Sequence, residues 1–269
     1  MRFDIEAKAA ADLNHPNIAT IHAIEELDEE TFIVMEYIDG IELKDKITAK
    51  KLQLRDVLKI SIQIAEGLQA AHEKSVVHRD IKSTNIMLTT KGKVKIMDFG
   101  LAKVGQGIQL TKEQSTLGTA PYMSPEQIHG DEIDQKSDIW SFGVVMYEML
   151  TGQLPFKGDY EQAVTYAIVN EDPDPISEVR SDLPPDLETI INKCLQKNPE
   201  NRYQHVDDIL VDLRKIVKES ETKEILSKTG VVETQKQYRS FILPGIIALV
   251  VLLFLSAYFF FSGEEREKI

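Results

Sequence analysis

The chain has 269 residues, 42% of them hydrophobic, which excludes a disordered or fibrous protein and is enough for one large core or two lobes. Its formal net charge of -13 at pH 7 would repel a phosphate backbone, so we expect no nucleic-acid partner. Cys194 is the only cysteine and the six histidines are scattered, so neither an internal disulfide nor a structural metal site is expected.

The first third of the chain predicts a helix, a hairpin and a second helix. Residues 3–14 are rich in alanine and charge, which predicts a helix that ends before Pro16. Residues 18–37 hold two β-rich runs around the polar stretch LDEE, which predicts a hairpin. Residues 54–74 predict a helix with one apolar face, formed by Leu58, Ile62, Ala65, Leu68 and His72.

The central and C-terminal parts change from strand to helix patterns. Three short apolar runs at 76–77, 86–88 and 94–96 predict small strands that frame the polar segment HRDIKSTN at 78–85. From about residue 135 onward, four helical segments are separated by loops that contain Gly and Pro.

A long apolar segment lies near the C-terminus. Residues 218–240 are polar and of mixed charge, which predicts a juxtamembrane linker. Residues 241–261 carry no charge, and at about 1.5 Å per residue a helix of this length would cross the roughly 30 Å hydrocarbon layer of a bilayer. A buried core helix, the alternative, would normally keep a polar stripe. Basic residues are more numerous before this segment than after it, which favours a cytoplasmic N-terminal side and leaves 262–269 as a short tail.

Five motifs follow one another along the chain. They are HRDIKSTN at 78–85, DFG at 98–100, GTAPYMSPEQ at 118–127, DIWSFG at 138–143 and NPENRY at 198–203. Together they resemble the protein kinase family, and the form GTAPYMSPEQ with a trailing apolar segment is similar to bacterial membrane-anchored serine/threonine kinases of the eukaryotic-like type.

The resemblance implies an α+β, protein-kinase-like fold of two lobes, with an incomplete N-terminal lobe, a mainly helical C-terminal lobe and one C-terminal transmembrane helix. Residues 1–38 would form the partial N-terminal lobe, starting within a helix, and residues 39–217 the C-terminal lobe. The glycine-rich loop and the phosphate-binding lysine of the family have no match in this sequence. We therefore expect an N-terminally truncated kinase whose small lobe has two strands where the family has five.

The resemblance assigns chemistry to the HRDIKSTN and DFG motifs. Asp80 would accept the proton of the acceptor hydroxyl, and Lys82 would lie against the γ-phosphate of ATP. Asn85 and Asp98 would hold Mg²⁺, since oxygen ligands suit that hard cation. Taken singly, each of these residues would be an ordinary solvated loop residue. Lys82 also favours serine or threonine over tyrosine as the acceptor.

The resemblance also suggests where the nucleotide binds. VMEYIDG at 34–40 is similar to the segment between the two lobes, where the backbone of Glu36 and Ile38 would face the adenine edge and Met87 would pack under the base. The alternative is an ordinary edge strand followed by a turn. Glu6, in the first helix, matches the glutamate that pairs with the phosphate-binding lysine in the family.

The activation segment would run from residue 98 to 126. Thr111, Ser115 and Thr116 are the candidate phosphorylation sites, and Arg79 could bind a phosphate there. A loop that is simply rich in hydroxyls is the alternative, and the sequence does not choose among the three residues.

Three further residues would have structural roles by the same resemblance. Glu126 would form a buried ion pair with Arg202, and Asp138 would brace the backbone of the catalytic loop.

These observations predict a serine/threonine protein kinase of the cell membrane that uses ATP and Mg²⁺ and has a cytoplasmic kinase region. Its partners would be protein substrates, the membrane through a single span, and a second copy during activation-loop phosphorylation. The alternative is a non-catalytic, membrane-tethered binding module of the pseudokinase type, or a gene fragment, because the glycine-rich loop and its lysine are missing from the sequence.

Overall fold

The computed structural model describes residues 11–27, 30–49, 52–99 and 119–228, and it confirms the predicted α+β class. The chain divides into two units, Met1–Val217 and Lys218–Ile269. The candidate site lies in the first unit.

The predicted hairpin is present as two antiparallel strands, β1 (Ile21–Leu27) and β2 (Glu30–Met35). Ile24 and Ile33 lie opposite each other and pack against the core, while Phe32 and Val34 point the other way and are exposed. Within the described residues this sheet has two strands, as the sequence predicted.

A second antiparallel sheet has the order β3 (Gly40–Glu42), β4 (Ile86–Thr89) and β5 (Val94–Ile96). A Cβ atom at Gly40 would collide with the carbonyl group of Leu88, so only glycine allows β3 to approach β4 this closely. The predicted strand at 76–77 is wrong. This stretch is irregular because the chain turns at once into a loop whose N–H groups bind a side chain rather than a neighbouring strand.

Two helices follow from the first half of the chain, α1 (Leu43–Ala49) and α2 (Leu54–His72). The predicted apolar face of α2 is buried at Leu58, Ala65 and Leu68. The buried face is wider than predicted, because α2 packs against both β5 and a later helix. Its additional buried residues are Val57, Ile60, Ser61, Ile64, Gly67 and Ala71.

The remaining helices are α3 (Pro125–His129), α4 (Gln135–Thr151), α5 (Glu161–Asn170), α6 (Ile176–Val179), α7 (Pro185–Cys194) and α8 (Val206–Lys228). Short 3-10 turns occur at Ser83–Asn85, Ala120–Tyr122 and Pro199–Asn201.

Helix α4 is the centre of the fold, because every residue from 137 to 150 is buried. Gly143 lets α7 approach it, since a Cβ atom at Gly143 would lie 2.7 Å from the Cβ of Cys194. The helix ends at Gly152, whose φ of 75° is the left-handed conformation that glycine adopts at low cost.

Helix α8 continues to Lys228, into the segment 218–240 that the sequence predicted as a linker. Residues 218–228 contain neither Gly nor Pro and are rich in Glu and Lys, so nothing in this stretch stops a helix.

Across the ranges described, none of the helices combines the length and the apolar character needed to cross a membrane. The predicted span at 241–261 and the tail at 262–269 lie outside the described residues. So do Glu6, with most of the predicted first helix, and the three candidate phosphorylation sites, Thr111, Ser115 and Thr116.

Candidate active site

Asp138 of α4 binds the backbone of the loop that carries the HRDIKSTN motif. The carboxylate of Asp138 accepts hydrogen bonds from the backbone N–H groups of His78 and Arg79, both at 2.8 Å, and it also contacts Nε2 of His72 at 2.8 Å. Burial alone would raise the pKa of Asp138, but the hydrogen bonds from the His72 side chain and the His78 backbone outweigh it and keep the pKa below its ordinary value. Asp138 thus braces the loop as a carboxylate.

Arg79 has a left-handed backbone with φ of 68°, which costs a non-glycine residue about 1–2 kcal/mol. Hydrogen bonds on both sides of the residue hold this conformation. Its N–H is bound by Asp138, and its carbonyl oxygen accepts from Nε2 of Gln127 at 2.8 Å. Oε1 of Gln127 accepts in turn from the N–H of Ser124, so Gln127 joins the start of α3 to the loop.

Gln127 was not predicted from the sequence as a functional residue. The pattern Ser-Pro-Glu-Gln at 124–127 is a helix capping box and could have marked Gln127 as a cap. Its second contact, with a residue 48 positions earlier in the chain, has no signal in the sequence.

Asp80, Lys82 and Asn85 meet at the surface of this loop. Nζ of Lys82 lies 2.9 Å from Oδ2 of Asp80, and Nδ2 of Asn85 donates to the same carboxylate at 3.1 Å and to the Asp80 carbonyl at 2.9 Å. Lys82 also donates to Oγ1 of Thr119 at 2.9 Å. The side chains of Asp80 and Lys82 are 18% and 17% exposed, so a substrate can reach them while they stay ordered.

The backbone of Met97 brings Asp98 to the same place. Its N–H donates to the carbonyl of Asn85 and its carbonyl accepts from Nε2 of His78, both at 2.8 Å. Nδ1 of His78 accepts from the N–H of Asp80, so the ring proton lies on Nε2, and burial lowers the pKa of His78 and keeps the ring neutral. Asp98 follows with φ of 51° and an exposed side chain.

The donor set around Asn85 fits Mg²⁺. Both side-chain hydrogen bonds of Asn85 use Nδ2, so its Oδ1 is the atom left for a cation. The exposed carboxylate of Asp98 could supply a second oxygen. Within the ranges described, there is no group of three or more His, Cys, Asp or Glu that could hold a metal. An amide oxygen with one carboxylate agrees with Mg²⁺, which usually completes its shell with water and substrate phosphates.

In the segment at 34–40, which was predicted to face the adenine edge, one backbone group of Glu36 is already bound within the protein. The N–H of Glu36 donates to the carbonyl of Thr20 at 2.8 Å, so only the Glu36 carbonyl is left to accept from a base. Ile38 is 9% exposed, and its N–H and carbonyl make no hydrogen bond to any described residue. Met87 on β4 is half-buried, between Glu42 and Lys95 of the two neighbouring strands.

The side chain of Glu36 fixes this segment to the second sheet. Its Oε2 accepts from Nζ of Lys95 at 2.8 Å and from the N–H of Thr20 at 3.1 Å. Burial would raise the pKa of Glu36, but the contacts with Lys95 and Thr20 outweigh it and lower the pKa. Lys95 was not predicted as a partner of Glu36, because it lies 59 residues away in the chain.

Glu126, which lies on α3, forms a bidentate ion pair with Arg202. The distances are 2.7 Å from Nη1 of Arg202 to Oε1 of Glu126 and 2.8 Å from Nη2 to Oε2, and the hydroxyl of Ser137 donates to Oε1 at 2.6 Å. This pair fixes the helix that carries Gln127, so it acts on the loop through position rather than chemistry.

A two-stranded hairpin, a small second sheet, a helical lobe around α4 and a braced Asp-Lys-Asn loop define a protein-kinase-like domain. Residues 2–212 match the protein kinase domain family, and the chain belongs to that family. The resemblance inferred from the five motifs is confirmed.

Several bacterial proteins are similar to this chain. Serine/threonine-protein kinase PknB of Mycolicibacterium smegmatis is 40% identical over 223 residues, which are 80% of this chain and 36% of that protein. A probable serine/threonine-protein kinase of Streptomyces coelicolor is 41% identical over 219 residues, 79% of this chain and 32% of the relative. A probable serine/threonine-protein kinase of Clostridium perfringens is 37% identical over 247 residues, which are 91% of this chain and 36% of the relative. The chain thus spans about a third of the length of these relatives.

Proposed function

We propose that this protein is a serine/threonine protein kinase that transfers the γ-phosphoryl group of ATP to hydroxyls of protein substrates. The observation that carries the proposal is the Asp80 carboxylate, which is bound by Lys82 and Asn85 on a loop braced by Asp138. The names of the similar bacterial proteins, which are serine/threonine kinases, support the same class of acceptor.

Asp80 acts as the base in this proposal. As the acceptor oxygen bonds to the γ-phosphorus and the bond from that phosphorus to the bridging oxygen of ADP breaks, the hydroxyl proton passes to the Asp80 carboxylate. Lys82, 2.9 Å from Asp80, places its positive charge where the transferred phosphoryl oxygens would lie. Mg²⁺, when bound at Asn85 and Asp98, would supply charge neutralisation for the phosphates.

The nucleotide would lie against the segment between Glu36 and Gly40. The Glu36 carbonyl and the Ile38 N–H would bind the adenine edge, and the apolar side chain of Met87 would pack on its face. The Glu36–Lys95 ion pair supports this position because it ties the segment to β5.

We also propose a single-pass location in the cell membrane, with the kinase region on the cytoplasmic side. The uncharged run at 241–261 and the basic residues before it support this placement. Phosphorylation at Thr111, Ser115 or Thr116 by a second copy of the chain is part of the same proposal, with Arg79 as the phosphate-binding residue.

The test is transfer of labelled phosphate from ATP to a serine- and threonine-rich acceptor protein, using the full chain in membranes from its source. Asp80→Asn keeps the size of the side chain but removes the base, so kcat should fall by about 100-fold or more. Asp45→Asn, at an exposed carboxyl on α1, is the matched control and should behave as the wild type. Wild-type kcat in Asp80→Asn would remove Asp80 from its role.

A further inference from the structure

Ser83, the residue after Lys82, belongs to a buried network that the proposed reaction does not use. Its hydroxyl lies 2.9 Å from the hydroxyl of Tyr122, which donates to Oε2 of Glu148 at 2.6 Å. Nζ of Lys44 donates to the other oxygen of Glu148 at 2.7 Å. We call these four side chains the Ser83–Lys44 network.

The network has one direction of hydrogen bonding. Burial and the neighbouring Glu148 carboxylate raise the pKa of Tyr122, so the phenol keeps its proton and donates it to Glu148. The Ser83 hydroxyl must therefore be the donor in its bond to Tyr122. Hydrogen bonds arranged in one direction strengthen each other, and those of a buried network are costly to break.

The network fixes one turn against the catalytic loop. The N–H of Tyr122 donates to the carbonyl of Thr119 at 3.0 Å, so these two residues mark the ends of a single turn. Thr119 binds Lys82 and Tyr122 binds Ser83, at 2.9 Å each. Lys82 and Ser83, which are adjacent in the loop, thus each bind one end of the turn and fix its position relative to the loop.

The other end of the network is anchored on two helices. Glu148 lies on α4, and its side chain is only 1% exposed. Lys44 lies on α1, with a side chain that is 44% exposed. Lys44 supplies the positive charge for a carboxylate that is otherwise buried beside a phenol, so the network needs it to stay intact.

We propose that Ser83 is a positioning residue for phosphoryl transfer, acting through the Ser83–Lys44 network. It holds the turn Thr119–Tyr122 in place, and thereby keeps Lys82 within hydrogen-bonding distance of both Asp80 and Thr119. The proposal rests on the proposed kinase function. Ser83 itself is fully buried and contacts no reacting atom.

The test compares three variants of the full chain in the phosphate-transfer assay. Ser83→Ala should lower kcat by about 10-fold with KM for ATP unchanged, since small displacements of catalytic groups have effects of this order. Ser83→Thr keeps the hydroxyl and should restore most of kcat. Ser61→Ala is the matched control, because Ser61 is a buried serine on α2 whose hydroxyl has no partner among the described residues.

A fourth variant acts from the far end of the network. Lys44→Met removes the positive charge that faces Glu148, and it should lower kcat in the same direction as Ser83→Ala. Lys44→Arg should retain activity.

Each outcome decides one point. If the wild type transfers phosphate and Ser83→Ala equals Ser61→Ala in kcat, Ser83 has no positioning role although the kinase proposal stands. An equal loss of kcat in Ser83→Ala and Ser83→Thr also overturns the role of the hydroxyl. If the wild type transfers no phosphate, the proposed function fails, and hydrogen exchange decides on the network. Faster exchange of the amides of residues 81–85 in Ser83→Ala than in Ser61→Ala supports it, and equal exchange rejects it.

Discussion

At the scale of single residues, the Glu126–Arg202 pair is the buried ionic contact on which α3 depends. Arg202 has no exposed side-chain surface, and its remaining donors bind the backbone carbonyls of Lys136, Gln196 and Lys197. Burial would raise the pKa of Glu126, but the hydrogen bonds and charge of Arg202 outweigh it and hold the pKa below its ordinary value. A guanidinium buried this deeply requires a carboxylate beside it.

Glu126→Gln should therefore lower the free energy of unfolding by about 3–5 kcal/mol, because it leaves Arg202 buried without a counter-charge. The matched control is Glu200→Gln, which removes an exposed carboxylate 2.7 Å from Lys136. That change should cost about 1 kcal/mol at most. Urea unfolding measures both, and equal losses would show that burial of the Glu126 pair has no energetic consequence.

The residue types of the chemical step could be predicted from the sequence, whereas their supports could not. Asp80, Lys82 and Asn85 lie within six positions, so one motif contains them all. Ser83 and Gln127 function through partners 39 and 48 positions away, and sequence spacing contains no information on such contacts. The N–H of Glu36 is bound by the carbonyl of Thr20, and nothing in the sequence indicated that contact.

At the scale of elements, the crossing of α4 and α7 depends on Gly143. Gly143→Ala should gain about 1 kcal/mol of helix propensity, but the new Cβ would lie 2.7 Å from that of Cys194 and force the helices apart. Overpacking of this kind costs about 1–3 kcal/mol, so Tm should fall. Asn192→Ala on the exposed side of α7 is the control and should raise Tm slightly. A rise in Tm for Gly143→Ala would contradict the close approach.

Helices with a strong hydrophobic pattern could be predicted from the sequence, and the elements that were predicted wrongly differ from the structure for physical reasons. The run at 139–150 is mostly apolar around the whole helix, and it forms the buried central part of α4. The pair at 76–77 has strand-forming residues, but a strand needs a neighbour, and here side-chain contacts fix the following backbone instead. The extension of α8 to Lys228 followed from composition, since polar residues without Gly or Pro can form a helix as well as a linker.

At the scale of the whole molecule, the net charge of -13 would by itself make the folded state more stable in mild acid, since protonation reduces the repulsion between its negative charges. Three carboxylates that are bound by partners in the folded state act in the opposite direction. Glu36, Glu126 and Asp138 all have pKa values lowered by their partners in the folded state. A group with a lowered pKa stabilises the fold above its unfolded pKa, and this contribution is lost as the pH falls through the folded pKa.

The free energy of unfolding should accordingly decline once the pH falls below about 4.5, the ordinary pKa of a glutamate. Urea unfolding at pH 7, 5, 4 and 3 would show the decline. It should be shallower in Glu126→Gln, which has one such carboxyl fewer. A wild type that becomes steadily more stable down to pH 3 would mean that charge repulsion outweighs these three groups.

The position of Cys194 has a practical consequence. It is the only thiol of the chain, it is fully buried between α7 and α4, and burial raises the pKa of its thiol. Because the thiolate is the reactive form, a folded molecule should be inert to alkylating reagents, and modification requires the helical lobe to open. The rate of thiol labelling therefore reports opening of the lobe around α4 without any engineered probe.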